Sequence, residues 1–241
     1  MTIQFVEPST EAQPLKALLY GPPGSGKTVA ACSAPGPILY LNCEGPDALT
    51  FSRRMFGDDK IREVAFTGKQ DLVDTYIYAR DAESGIATFV VDSIGEMYRI
   101  LLEEESGQKQ TTLQNYGTVN TRIERFARSL RDLPLNVVLV AHEEIADVEG
   151  EIVRRPVTGG KKLPEILMAM MSVVAYCGVV PEKDTDPRRF VGQLVQANGR
   201  RAKDRSDSLG KSRDLDLTEW INTMRGDTPA EQTPEKELVI A

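Results

Sequence analysis

Along the chain, short apolar runs alternate with longer stretches of mixed polarity. Leu15 to Tyr20, Pro37 to Leu41, Ala87 to Asp92, Leu135 to Ala141, Ser172 to Val180 and Phe190 to Gln196 read as strands. The third and fourth are almost continuously apolar, as strands covered on both faces must be. Between these two, Val119, Ile123, Phe126, Ala127 and Leu130 recur at three- and four-residue spacing beside Arg122, Glu124, Arg125 and Arg128, which predicts an amphipathic helix. Strand and helix in alternation predict an α/β fold with a mostly parallel central sheet flanked by helices. The last two runs leave no room for a helix between them, so antiparallel strands are expected at one edge.

Weak periodicity at Glu103 to Asn115 and at Ala146 to Pro164 predicts two long loops of the kind that carry function. A last helix is expected over Leu217 to Arg225, with Asp216 as its N-cap and Glu219 set for a capping interaction. Beyond it, residues 226–241 mix Pro, Glu, Thr and Lys and are expected to form a disordered tail, leaving residues 1–225 as one domain.

Composition narrows the options. No apolar run approaches the roughly 20 residues that cross a bilayer, so a soluble, cytoplasmic protein without membrane association is expected. Cys32, Cys43 and Cys177 share no metal-type spacing and His142 is the only histidine, which argues against zinc and for reduced, buried thiols. A net charge of −7 argues against a surface that is basic throughout. Basic residues nevertheless cluster at Arg154, Arg155, Lys161 and Lys162, and again at Arg200, Arg201, Lys203, Arg205, Lys211 and Arg213.

The most specific chemistry lies in Gly21, Pro22, Pro23, Gly24, Ser25, Gly26, Lys27 and Thr28. This string satisfies G-x-x-x-x-G-K-[ST], placed after an apolar strand and before a helix-compatible run, as a phosphate-binding loop requires. Backbone N–H groups would cradle the phosphates of ATP, Lys27 would reach the β and γ phosphates, and Thr28 would ligate Mg²⁺. Asp92, closing the run Thr88 to Val91, is the expected carboxylate partner of that magnesium. Ser93 follows it, so the adjacent Asp-Glu pair with which AAA+ ATPases activate water is missing.

Glu44, just beyond the strand Ile38 to Leu41, occupies the place where RecA-like ATPases carry their catalytic glutamate. The chain resembles that class, and the resemblance implies a RecA-like P-loop core with Glu44 as the water-activating base. It also implies that His142, at the end of the fourth apolar run, senses the γ-phosphate. Lys203 and Arg205 resemble the Lys-x-Arg finger pair that acts across subunit interfaces in the DnaB and RadA branches, which implies a homo-oligomer, ring or filament; Arg200 and Arg201 are alternates.

Gln114 to Gly117, Val140 to Glu143 and Thr158 to Pro164 further resemble passages of small bacteriophage RecA-like ATPases that include the Sak-type annealing proteins. That family implies ATP-dependent annealing or strand exchange on single-stranded DNA during recombination or replication, alongside a single-strand-binding protein. Arg154, Arg155, Lys161 and Lys162 are then the expected phosphate contacts, with Tyr116 the aromatic in a candidate loop. Two other functions fit the nucleotide motifs: a switch or assembly ATPase of the KaiC type that does not act on DNA, and a P-loop small-molecule kinase.

Overall fold

A computed structural model of the chain describes residues 13–180 and 188–227. The apolar runs become β1 (Lys16–Gly21), β2 (Ile38–Asn42), β4 (Thr88–Asp92), β5 (Asn136–Val148), β7 (Val173–Val180) and β8 (Arg189–Gln193). Between them stand α1 (Lys27–Ser33), α2 (Thr50–Phe56), β3 (Ile61–Ala65), α3 (Lys69–Arg80), α4 (Ile94–Ser106), α5 (Leu113–Arg131), β6 (Glu151–Pro156) and α6 (Leu163–Met170). The short strands β9 (Lys203–Asp204) and β10 (Ser212–Asp214) and helix α7 (Leu217–Arg225) complete the described chain.

The sheet runs β10-β8-β7-β1-β5-β4-β2-β3. From β7 to β3 all neighbours are parallel, and β8, β9 and β10 add antiparallel strands at the other edge. Period-two alternation sends side chains to two separate cores. Leu18, Tyr20, Leu41, Phe89 and Val91 pack under α4, α5 and α6. Leu19, Tyr40, Val90 and Val138 pack under α1 and α7, around Ala30, Ala31 and Trp220. Double coverage is why the central strands carry no polar alternation.

Several expectations needed correction. Glu103 to Asn115 is largely helical: α4 continues to Ser106, and α5 starts at Leu113 after Thr112, which exchanges hydrogen bonds with Asn115. Of Ala146 to Pro164, residues 157–162 form a loop as expected, but the earlier part does not, because β5 runs on to Val148 and turns into β6 as an antiparallel hairpin. At the far edge, β3 was not expected at all. At the last helix, Asp216 accepts from the Glu219 N–H at 3.1 Å as expected, but the Glu219 carboxylate pairs with Arg213 at 2.9 Å instead of closing a capping box. Gly226 ends α7, and residues 228–241 of the expected tail lie outside the described residues. Among the described residues the three cysteines are buried and free, and no helix is long and apolar enough to cross a membrane.

Candidate active site

The parallel register brings the C-terminal ends of four strands side by side. Gly21 of β1 lies beside His142 of β5, whose Val140 aligns with Asp92 of β4, which in turn aligns with Asn42 of β2. Ligands of open α/β sheets bind in the crevice outside such strand ends.

The glycine-rich loop opens that crevice. Gly26 has φ +83°, and a Cβ there would come within 2.9 Å of the Phe190 ring, so both its backbone and its neighbour exclude a side chain. Pro22 and Pro23 offer no N–H, so the phosphate cradle falls to the amides of Gly24 through Thr28. The Lys27 ammonium is buried at the loop's centre, donating to the carbonyls of Gly21 at 3.0 Å and Pro22 at 2.8 Å. Burial lowers its pKa, with Asp92, Glu44 and Glu143 among the anions that counteract this.

Thr28 donates its hydroxyl proton to Asp92 Oδ2 at 2.7 Å. A hydroxyl has one proton and two lone pairs, so this bond leaves its oxygen a ligand for a cation. Magnesium is usually held by one or two carboxylates, with substrate phosphates and water filling the remaining positions. No cluster of His, Cys, Asp and Glu able to hold a metal alone exists among the described residues, and the Thr28 and Asp92 pair fits the magnesium pattern. Asp92 is deeply buried, and burial raises its pKa while hydrogen bonds from Tyr40 and Thr28 oppose the rise.

Glu44 meets the same crevice. Asn42 holds its backbone in an Asx turn, its Oδ1 accepting from the N–H groups of Glu44 at 3.0 Å and Gly45 at 3.3 Å. The Glu44 carboxylate accepts a short hydrogen bond from Ser93 Oγ, and His142 Nε2 lies 3.4 Å from its Oε1. Lys27, Thr28, Asp92, Glu44 and His142 are therefore one constellation, as expected from the sequence. Ser93 and Tyr40 belong to it too, although neither stood out in the sequence. A serine straight after Asp92, placed to cap the next helix, was the available clue to the first.

Two sets of expected residues lie outside this constellation. Lys203 and Arg205 lie where β9 pairs with the start of β7, and both donate to the carbonyl of Ala169 in the last turn of α6, at 3.4 and 2.5 Å. Val174, the partner of Lys203, aligns with Leu18, so at about 3.3 Å per residue the pair sits roughly 10 Å below the phosphate loop of its own chain. Arg200 is buried over the Tyr176 ring at 4.6 Å, and Arg201 donates to Gln196 at 3.3 Å. On the hairpin, Arg154 pairs with Glu143 at 3.1 Å and Arg155 with Glu144 at 2.8 Å, which neutralises the basic character expected there. Lys161 and Lys162 remain exposed.

A family model described as an AAA domain matches residues 13–206. The chain belongs to this AAA domain family. None of the curated proteins matches it. Among solved structures, a KaiC-like protein from the hyperthermophilic archaeon Pyrococcus horikoshii is similar at 18% identity and TM-score 0.46, over 77% of this chain and 79% of that one. An AAA domain of this kind is a P-loop ATPase, and the family implies a bound nucleotide, typically with magnesium. This AAA domain has no glutamate after its strand-terminal Asp92; the carboxylate beside Ser93 and His142 is Glu44, just beyond the neighbouring strand β2.

Proposed function

We propose that this ATPase domain couples hydrolysis, with Glu44 orienting the attacking water, to binding of single-stranded DNA during annealing or strand exchange in phage recombination or replication. The observation that carries the reading is the convergence of three passages that are far apart in the chain. Val157 N–H donates to the carbonyl of His142 at 2.8 Å, tying the segment Thr158 to Lys162 to the strand end beside Glu44. The same segment lies on α4 and α5: a Cβ on Gly159 would meet the Tyr98 ring at 2.3 Å, and one on Gly160 would meet Asn120 Oδ1 at 2.4 Å. Tyr116 is one turn before Asn120 and partly exposed.

A stacking aromatic beside exposed lysines and glycine backbone is what a sequence-tolerant single-strand site needs. Arg154 and Arg155 are already paired, so Lys161 and Lys162 carry the phosphate contacts in this reading. Lys203 and Arg205 sit below their own crevice, so any part they take in hydrolysis is at a neighbouring copy's site.

The test is fluorescence anisotropy of a labelled oligonucleotide across a salt series, with a non-hydrolysable ATP analogue or with ADP. The expected result is tighter binding with the triphosphate, and a log-log salt slope reduced by about 1.4 in Lys161→Ala/Lys162→Ala, at about 0.7 per lost contact. No binding in either nucleotide state, or an unchanged slope, rejects the DNA reading and favours the switch ATPase.

A further inference from the structure

Tyr40 lies in the middle of β2, in the aliphatic core under α1 and α7, with no exposed surface. A phenylalanine would fill that space equally well, and a buried hydroxyl costs free energy unless it is partnered. Its partner is Asp92, to whose Oδ2 it donates at 2.5 Å. Thr28 donates to the same oxygen at 2.7 Å. Oδ2 thereby receives two hydrogen bonds, while none reaches Oδ1 among the described residues.

We propose that Tyr40 is a positioning residue for magnesium binding: by occupying Oδ2 with Thr28, it fixes the Asp92 carboxylate and reserves Oδ1 for the metal. Two observations support this. The carboxylate is nearly inaccessible, so its orientation is set by protein donors and not by bulk water. Register fixes the distance, because β2 and β4 are neighbours with Tyr40 opposite Val90 and Asn42 opposite Asp92, which puts the phenol two residues below the carboxylate, within reach of it. Partners behind a metal ligand typically account for 10- to 100-fold in metal affinity. The inference rests on the nucleotide site alone and stands whether or not the chain binds DNA.

The test uses the full chain and a fluorescent, non-hydrolysable ATP analogue, titrated with MgCl₂ and, separately, in EDTA. In Tyr40→Phe the magnesium midpoint should rise about tenfold, while metal-free nucleotide affinity, set by the loop amides and Lys27, stays within about twofold. Since Tyr40 acts through Asp92, adding Tyr40→Phe to Asp92→Asn should produce no further shift. If Tyr40→Phe does not fold, Tyr40→Met is read in the same way. An unchanged midpoint in a folded variant, or an undiminished shift in the Asp92→Asn background, overturns the proposal.

Discussion

Ser93→Ala separates a helix cap from an active-site contact, because the same oxygen serves both. Ser93 Oγ accepts from the Glu96 N–H at 3.5 Å at the start of α4 and donates to Glu44. The cap bond is at the limit of useful length, so its loss belongs at the low end of capping energies, about 0.5–1 kcal/mol. At ~2–4 °C per kcal/mol for a chain of this size, loss of the cap should lower the melting temperature by about 1–4 °C, while the Glu44 carboxylate, 35% exposed, regains water in place of its bond to Ser93. The bond to the Glu44 carboxylate is the stronger one, since hydrogen bonds to charged groups contribute about 1.5–3 kcal/mol. If that bond holds Glu44 in line with the attacking water, kcat should fall roughly 10- to 100-fold with nucleotide affinity unchanged. Ser93→Thr, which keeps the hydroxyl, should recover most of the rate. Steady-state ATP hydrolysis and thermal melting on the same preparations provide the comparison. A normal kcat in Ser93→Ala would remove Ser93 from the positioning of Glu44, and a large drop in melting temperature matched by weaker nucleotide binding would make its role structural.

Asp92→Asn should raise the melting temperature measured without nucleotide and magnesium at neutral pH, while abolishing magnesium-dependent turnover. The sign follows from a folded-state pKa raised by burial: such a carboxyl favours folding below its unfolded pKa and loses that contribution as pH rises through the folded value, a loss an amide does not suffer. A melting temperature below wild type across that range contradicts it. Gly159→Ala should destabilise the chain by at least about 1–2 kcal/mol, from φ +95° alone, with the contact at 2.3 Å from the Tyr98 ring adding to this. Urea denaturation reads the change, and a variant of wild-type stability would mean that the Thr158 to Lys162 segment does not rest on α4 as described.

The sequence was most legible where burial is double-sided or where chemistry demands a particular residue. β1, β4 and the first half of β5 show as apolar runs because helices cover both of their faces, and the phosphate loop shows because only its glycines, lysine and threonine fit its task. β3 stayed hidden because it is an edge strand with Ile61 as its one fully buried residue, and Arg62 and Glu63 face solvent. β6 was hidden in the same way, with only Val153 and Pro156 buried among charged neighbours. The charge on the hairpin misled for a different reason. Arg154 and Arg155 read as a basic cluster, but strand register sets Glu144 opposite Arg155 and brings Glu143 to Arg154, and register is a property of the pairing, not of either segment. Tyr40 reads as one more apolar residue of β2 until Asp92 is placed beside it.

The far end of α1 is finished by residues made much later. Ser33 Oγ accepts from the Leu217 N–H at 2.8 Å across 184 positions of chain, and its carbonyl accepts from Thr218 Oγ1 at 2.6 Å. At about 5–20 residues per second, a ribosome needs roughly 10 to 40 s to travel from one partner to the other. Throughout that interval the helix that carries Lys27 and Thr28 has no lid on its final turn and lacks Trp220 against its flank. The helix that begins with Lys27 and Thr28 therefore completes its packing only after α7 has been made, so the two segments must meet across most of the described chain before the phosphate loop has its full support.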